Sequence, residues 1–181
     1  MPSLGVLTMA TVMMTAAVMT AVTVVVMFPC GLRAAPLEES CPGGLDHGFG
    51  SHYNWSHTLG DALEEAEEFG KPILMLIHKH WCPMCKVLRP RFAHSREILR
   101  LSHHMVFVNL FDEPLDDTFA PDGRYVPRIL FLDYMGIVHP EIYNVHGTAK
   151  YKYYYLFPDE EIAPNMKRAI RDLSRHASPD L

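Results

Sequence analysis

A Cys-x-x-Cys motif that follows a buried-strand signal constrains this 181-residue chain more than any other feature. Residues 73–77 (ILMLI) are wholly apolar and predict a buried strand. Two intervening residues allow one helical turn to bring both sulfurs close together, and N–H groups at the start of a helix stabilise a thiolate. We therefore predict thiol–disulfide exchange, with Cys82 as the exposed nucleophile and Cys85 as the thiol that resolves its mixed disulfides.

The same motif has two other interpretations, a structural disulfide and half of a zinc site. Zinc would need two further ligands, and the histidines at 78, 80, 94, 103 and 104 show no regular spacing of a second ligand pair. We therefore favour exchange and expect neither a metal nor a cofactor. His78 and Lys79 precede the motif and are candidates for proton transfer or electrostatic assistance, while a structural role for His78 is an equal alternative.

The N-terminal region predicts export. Residues 4–32 contain no charged side chain, so residues 1–35 are predicted to be a signal peptide, with a membrane anchor of about 20 residues as the less favoured alternative. Residues 36–56 are expected to form a flexible lead-in, 57–177 the domain and 178–181 a C-terminal tail. Membrane contact is expected only if the N-terminal segment stays uncleaved.

Export changes the interpretation of two further sites. Cys41 is a candidate for an intermolecular disulfide, although it can also remain unpaired, or pair with Cys30 if that residue is retained. Asn54 begins the sequence Asn-Trp-Ser, which is an N-glycosylation signal in an exported chain. The charge balance, 16 basic against 21 acidic residues, with the basic ones scattered, excludes a nucleic-acid footprint.

Periodicity and capping residues predict an alternation of helices and strands, which implies a mixed sheet with helices on both faces. Asp61 is predicted to cap the first helix, Ser95 to cap a later one, and Pro90 to bend the helix that follows Cys82. The expected elements are a helix over 61–69, strands over 73–78 and 105–110, a β-hairpin over 128–133 and 137–142, and a helix over 159–176.

Several separated segments resemble one family. The Trp-Cys-x-x-Cys motif, Pro90 five residues beyond Cys85, and Val126-Pro127 before a strand resemble the thioredoxin superfamily. The segment PDGRYVPRI (121–129) narrows the resemblance to small single-domain endoplasmic-reticulum thioredoxin proteins, the group of thioredoxin domain-containing protein 12 and the anterior gradient proteins. The likeness extends over nearly all of the chain after about residue 47.

The resemblance implies an α/β thioredoxin-like fold, with a central mixed β-sheet flanked by helices. It implies a cis peptide at Pro127 and a substrate groove beside the sulfurs, formed by Trp81, Pro83, Met84, Val126 and Pro127. It also implies an oxidoreductase that acts on client secretory proteins bearing thiols or disulfides, with glutathione or another oxidoreductase as its redox partner.

Two departures from the family pattern matter. Leu76 occupies the position, six residues before the first cysteine, where thioredoxins keep a buried carboxylate. The chain ends in Ser-Pro-Asp-Leu, which lacks the glutamate of a Lys-Asp-Glu-Leu retrieval signal. The endoplasmic-reticulum lumen is the expected compartment and secretion the alternative. The second functional hypothesis is a secreted binding or signalling factor, or a client-specific chaperone, in which the dithiol is secondary.

Overall fold

Four short strands form one mixed sheet in the order β1-β3-β2-β4. The computed structural model describes residues 44–176. Both β1 and β2 pair with β3 in parallel, whereas β4 pairs with β2 in the antiparallel direction. Parallel neighbours need a helical crossover, and the helices between the strands supply it. The strands are β1 (Trp55–Ser56), β2 (Ile73–Ile77), β3 (Val106–Leu110) and β4 (Arg128–Leu132).

Helices cover this sheet, which confirms the predicted α/β architecture. Every residue of β2 and β4 is buried, as expected for strands packed on both faces. A 3₁₀ turn (Asp117–Phe119) precedes β4, and a π-helical turn (Pro158–Ile162) leads into the last helix. The helices are α1 (Leu59–Phe69), α2 (Pro83–His94), α3 (Arg96–Ser102) and α4 (Ala163–Leu173).

The first helix begins two residues earlier than predicted, because Thr58 and not Asp61 is its N-cap. The Thr58 hydroxyl accepts a hydrogen bond from the Asp61 N–H, and the Asp61 carboxylate accepts one from the Thr58 N–H, each at 3.0 Å. This reciprocal pair is a capping box, so Asp61 serves the helix from its third position. Gly70 ends the helix in the left-handed conformation, with φ of 64°.

The second helix begins at the first cysteine of the motif. Cys82 is its N-cap, and Pro83 fills the first helical position, where no N–H is needed. The helix continues through Pro90 to His94, although Pro90 cannot donate the usual backbone hydrogen bond. Ser95 then caps α3 as predicted, its hydroxyl accepting a hydrogen bond from the Ile98 N–H at 3.0 Å.

The packed domain begins earlier than the predicted boundary at residue 57. Phe49, Tyr53 and Trp55, which were assigned to the flexible lead-in, are buried in the core. The Trp55 indole N–H donates to the Gly50 carbonyl at 2.8 Å, and the Tyr53 hydroxyl donates to the Phe92 carbonyl at 2.8 Å. Large aromatic side chains bury enough apolar surface to hold an irregular segment on the domain.

The predicted β-hairpin is wrong in its second half. Leu132 pairs with Val138 in a single isolated bridge, and no strand forms over 137–142. The His139 N–H still donates to the Phe131 carbonyl at 2.9 Å, but Pro140 has no N–H with which to extend the ladder. The chain turns instead, with the Ile142 N–H donating to the His139 carbonyl at 3.1 Å.

The predicted signal peptide, Cys41 and the C-terminal tail lie outside the described residues. Within residues 44–176, no helix is long and apolar enough to span a membrane.

Candidate dithiol site

The site is centred on the hydrogen bonds of the Cys82 sulfur. The Cys85 N–H donates to Cys82 Sγ at 3.2 Å, so the first cysteine caps its own helix with sulfur. The Cys82 thiol in turn donates to the Val126 carbonyl at 3.5 Å. Both cysteines are free thiols. The helix start therefore offers Cys82 a backbone donor that strengthens when the sulfur becomes negative.

Cys82 is less exposed than predicted. Only 4% of the residue is accessible, because the sulfur lies against the backbone at Val126. Cys85 is wholly buried, and this burial, together with its hydrogen bond to Cys82, raises the pKa of the Cys85 thiol. The second thiol therefore stays protonated in the resting site and must lose its proton before it can act as a nucleophile.

The peptide bond between Val126 and Pro127 is cis, as the family resemblance implied. This turn is held by Arg128, whose side chain is completely buried. The Arg128 guanidinium donates to the carbonyls of Gly123 at 3.0 Å, Tyr125 at 2.9 Å and Phe119 at 3.0 Å. It also pairs with the Glu113 carboxylate. Arg128 therefore joins the start of β4 to the loop that carries the cis peptide.

An open groove of about 500 Å³ begins at Val126, next to the Cys82 sulfur. Tyr154 lies near both cysteines: burial, and then the charges on the two sulfurs, raise the pKa of its hydroxyl. Trp81, 62% exposed, and Met84, 37% exposed, lie on the surface beside the motif, where Pro83 is also exposed. Four large aromatic side chains line the groove: Tyr125, Tyr151, Tyr154 and Phe157.

The family profile described as thioredoxin-like matches residues 54–133. The chain is 33% identical over 132 residues to anterior gradient protein 2 homolog of Homo sapiens, covering 72% of this chain and 74% of that protein. This chain belongs to the anterior gradient family of thioredoxin-like proteins. It is also 31% identical over 137 residues to anterior gradient protein 3 of Mus musculus, covering 74% of this chain and 81% of that one. Anterior gradient protein 1 of Xenopus laevis shares 30% identity over 138 residues, covering 75% and 74%.

In this anterior gradient family member, the His78 side chain is buried in the domain and does not contact the cysteine sulfurs. Its ring is fully buried and packs against Phe49 and Phe111, at centroid distances of 5.0 and 5.6 Å. Burial lowers the pKa of His78 to about 3, with the nearby His47 and Arg89 acting in the same direction. Because the imidazole is neutral and surrounded by aromatic rings, a structural role for His78 is favoured over proton transfer or electrostatic assistance.

Lys79 also points away from the dithiol. Its ammonium lies 5.3 Å from the centroid of the Phe111 ring and 3.5 Å from the Asp112 carboxylate. Its backbone carbonyl accepts a hydrogen bond from the Cys82 N–H at 3.3 Å. Across residues 44–176, neither the His78 nor the Lys79 side chain forms a hydrogen bond with a cysteine sulfur.

The predicted glycosylation signal at Asn54 lies away from the two cysteines in the sequence. Asn54 is exposed between buried Tyr53 and Trp55, so glycosylation there stays a prediction. In the part of the chain that the structure describes, no group of three or more His, Cys, Asp or Glu side chains could hold a metal ion. Four tyrosines between positions 151 and 155 have two locations: Tyr153 and Tyr155 are core residues, whereas Tyr151 and Tyr154 line the groove.

Sequence reasoning missed two residues that shape the site of this family member, Arg89 and Arg128. Arg89 lies four positions after Cys85, and i,i+4 spacing on a helix was the available signal. Arg128 had a weaker signal, because a charged residue at the start of an otherwise apolar strand is usually exposed.

Proposed function

We propose that this anterior gradient family member is a thiol–disulfide oxidoreductase that acts on client proteins through Cys82 and Cys85. The observation that carries the proposal is the 3.2 Å hydrogen bond from the Cys85 N–H to Cys82 Sγ at the start of α2. It singles out one sulfur for stabilisation as a thiolate and leaves the other as a buried thiol. The two sulfurs therefore suit different steps of one reaction.

In the reducing direction, the Cys82 thiolate attacks one sulfur of a client disulfide. A Cys82–client bond forms, and the other client sulfur leaves as a thiolate and takes up a proton. Cys85 then loses its proton and attacks Cys82 Sγ, which releases the first client sulfur and closes the Cys82–Cys85 disulfide. In the oxidising direction the same steps run in reverse, and glutathione or another oxidoreductase resets the pair.

The groove supports a polypeptide client. An extended segment beside Val126 and Pro127 can form strand-like hydrogen bonds with the backbone there, while one of its side chains enters the aromatic groove. The exposed Trp81 and Met84 add apolar surface next to the motif. We place this activity in the lumen of the endoplasmic reticulum, with secretion as the alternative, because such clients form their disulfides in an oxidising compartment.

The test is to trap mixed disulfides. A Cys85→Ser protein should accumulate covalent complexes with reduced, unfolded clients that a Cys82→Ser protein does not form, because only Cys82 begins exchange. The reduction potential of the unmodified pair against glutathione should lie near about −180 mV if it works as an oxidant or isomerase. Normal turnover by the Cys82→Ser protein would contradict the proposal.

A second candidate function is favoured by the contrast between an open aromatic groove and a nearly covered sulfur. We propose as this alternative a binding or signalling factor, or a client-specific chaperone, for which the dithiol is secondary. A protein with both Cys82 and Cys85 changed to Ser would then keep its client affinity and biological activity. Loss of that activity, with client binding intact, would favour the oxidoreductase.

A further inference from the structure

Arg89 lies one helical turn beyond Cys85 on the same face of α2. Its side chain is half-buried, with the guanidinium carbon 5.7 Å from the centroid of the Phe49 ring. Arg89 Nη2 is 3.4 Å from His78 Nδ1, and Arg89 Nε is buried with no hydrogen-bond partner. This arginine therefore directs its charge into the domain beneath the dithiol.

The charge of Arg89 is not in direct contact with a carboxylate. Among residues 44–176, no Asp or Glu side chain forms an ion pair with it. Its titratable neighbours are His47 and His78, with the Asp46 carboxylate beside His47, and burial lowers the pKa of both imidazoles. Partly buried cations are normally paired, and a guanidinium keeps its proton at any pH at which the protein is folded. The resting site therefore holds a permanent positive charge that forms no direct ion pair in the described part of the chain.

The dithiol reaction creates a negative charge one helical turn from Arg89. Cys85 must become a thiolate in order to resolve a mixed disulfide, and Leu76 supplies no carboxylate to take up its proton. Burial and the hydrogen bond to Cys82 raise the pKa of Cys85, while the positive charge of Arg89 acts in the opposite direction. A cation one helical turn away therefore offsets part of the cost that burial imposes on the thiolate.

We propose that Arg89 is a positioning residue for the resolving step, where its charge stabilises the Cys85 thiolate in place of a proton-accepting carboxylate. This inference rests on the proposed oxidoreductase function. In that step the Cys85 proton passes to water, the Cys82–Cys85 bond forms and the Cys82–client bond breaks. The client leaves as a thiolate and is protonated by water, so one disulfide replaces another and no further reactant is needed. Arg89 keeps its own proton throughout.

The experiment separates the two thiols with dithiodipyridine, an uncharged disulfide whose leaving group is coloured. Under stopped-flow mixing of the reduced protein with one equivalent of the reagent, Cys82 releases the first thiopyridone and Cys85 releases the second. We compare the unmodified protein with Arg89→Met, which keeps the apolar stem, and Arg89→Lys, which keeps the charge. Thermal unfolding of each variant verifies that it is folded.

We expect Arg89→Met to slow the second phase by about threefold to tenfold near neutral pH. Loss of the positive charge raises the pKa of the Cys85 thiol and lowers the fraction present as thiolate, and the higher nucleophilicity of the remaining thiolate recovers part of the rate. The first phase should change by less than about twofold, since Cys82 takes its stabilisation from the helix start. Arg89→Lys should restore most of the second phase.

The pH profile distinguishes a charge effect from a packing effect. The second phase should reach its half-maximal rate at higher pH in Arg89→Met than in the unmodified protein. The groups that face Cys85 are Cys82, Arg89, Tyr154 and the backbone of Lys79. His47 and His78 face Arg89, and the Asp46 carboxylate lies beside His47. All except Arg89 are the same in the three proteins.

Either of two results would overturn this inference and leave the proposed function standing. One is a second phase in Arg89→Met with the same rate and pH profile as in the unmodified protein, and the other is equal slowing of both phases. If the unmodified protein itself releases no thiopyridone, the proposed function fails together with the inference.

Discussion

Arg128 Nη1 donates a 2.9 Å hydrogen bond to the carbonyl of Tyr125, two residues before the cis proline. The same guanidinium reaches three further acceptors, so one buried side chain fixes the loop that faces the Cys82 sulfur. Arg128 stands at the first position of β4, which is paired with β2. The sheet is thereby linked directly to the geometry of the groove.

We expect Arg128→Met to lower the free energy of unfolding by about 3 kcal/mol or more, because it leaves the Glu113 charge and several carbonyls without their buried partner. Urea denaturation measures this loss. The matched control is Arg124→Met, since Arg124 also pairs with Glu113 but is more exposed, and its loss should cost less than about 1 kcal/mol. Equal losses from the two substitutions would contradict the anchoring role of Arg128.

Acid should destabilise the domain through His78. The folded-state pKa of His78 is about 3, below the value of 6.5 for an exposed histidine, so between these values only the unfolded chain takes up the proton. The stabilising contribution of the neutral ring is therefore complete above pH 6.5 and declines as the pH falls. Urea denaturation of the unmodified protein and of His78→Gln at pH 7 and pH 5 tests this. The difference between their free energies of unfolding should shrink by about 2 kcal/mol at the lower pH, because only the unmodified protein contains this histidine. Parallel pH profiles would show that His78 is not the group responsible.

His139 should have the opposite pH dependence. Burial alone would lower its pKa, but hydrogen bonds to Glu141 at 2.8 Å and Asp133 at 3.3 Å outweigh that effect and raise it. Its contribution is complete below pH 6.5 and is lost as the pH rises through the folded-state pKa. We expect His139→Gln to lower the melting temperature near pH 5.5 and to have little effect near pH 8.5. The free-energy difference should stay below about 1 kcal/mol, because the pair is near the surface. A larger effect at the higher pH would reverse the assigned sign.

Client affinity should depend on the aromatic groove. Phe157 lines it and is 48% exposed, with the Arg91 guanidinium 4.8 Å from its ring centroid. Phe157→Ala removes the ring and should weaken the binding of an unfolded client peptide by about tenfold, which is about 1.4 kcal/mol. Fluorescence anisotropy with a Cys-free peptide measures this without any exchange reaction.

Phe69→Ala is the control for that experiment, because Phe69 is a similarly exposed phenylalanine under a cation, Lys71, at the end of α1. It should leave client affinity unchanged. If the two substitutions weaken binding equally, the groove is not the client site.

Local chemistry explains which parts of the fold the sequence predicted. The apolar run over 73–77, the Cys-x-x-Cys motif and the Ser95 cap each depend on neighbours within one or two turns, and all three formed as expected. The start of α1 shifted because Thr58 and Asp61 share one capping box, in which either residue can be taken for the cap. The predicted hairpin does not form beyond Val138, because Pro140 has no N–H to donate to the strand ladder. The alternation of apolar residues around Pro140 indicated a strand but could not replace that hydrogen bond.

The rest of the site depends on contacts between segments distant in sequence. Tyr53 donates its hydrogen bond to Phe92, 39 residues away, and Cys82 to Val126, 44 residues away. No spacing rule within one helix or strand indicates such pairs. Arg89 and Arg128 became recognisable as site residues only when their buried surroundings were known, because their residue type normally favours the surface.

The aromatic rings of residues 49–55 pack against Phe92, which lies on the helix that carries both cysteines. A protease that trimmed the chain back to residue 57 would remove these rings without cutting near either thiol. The helix would lose part of its support, and Arg89 would lose the Phe49 ring beneath its guanidinium. A proteolytic cut that leaves the packing of this helix intact must therefore fall upstream of Phe49.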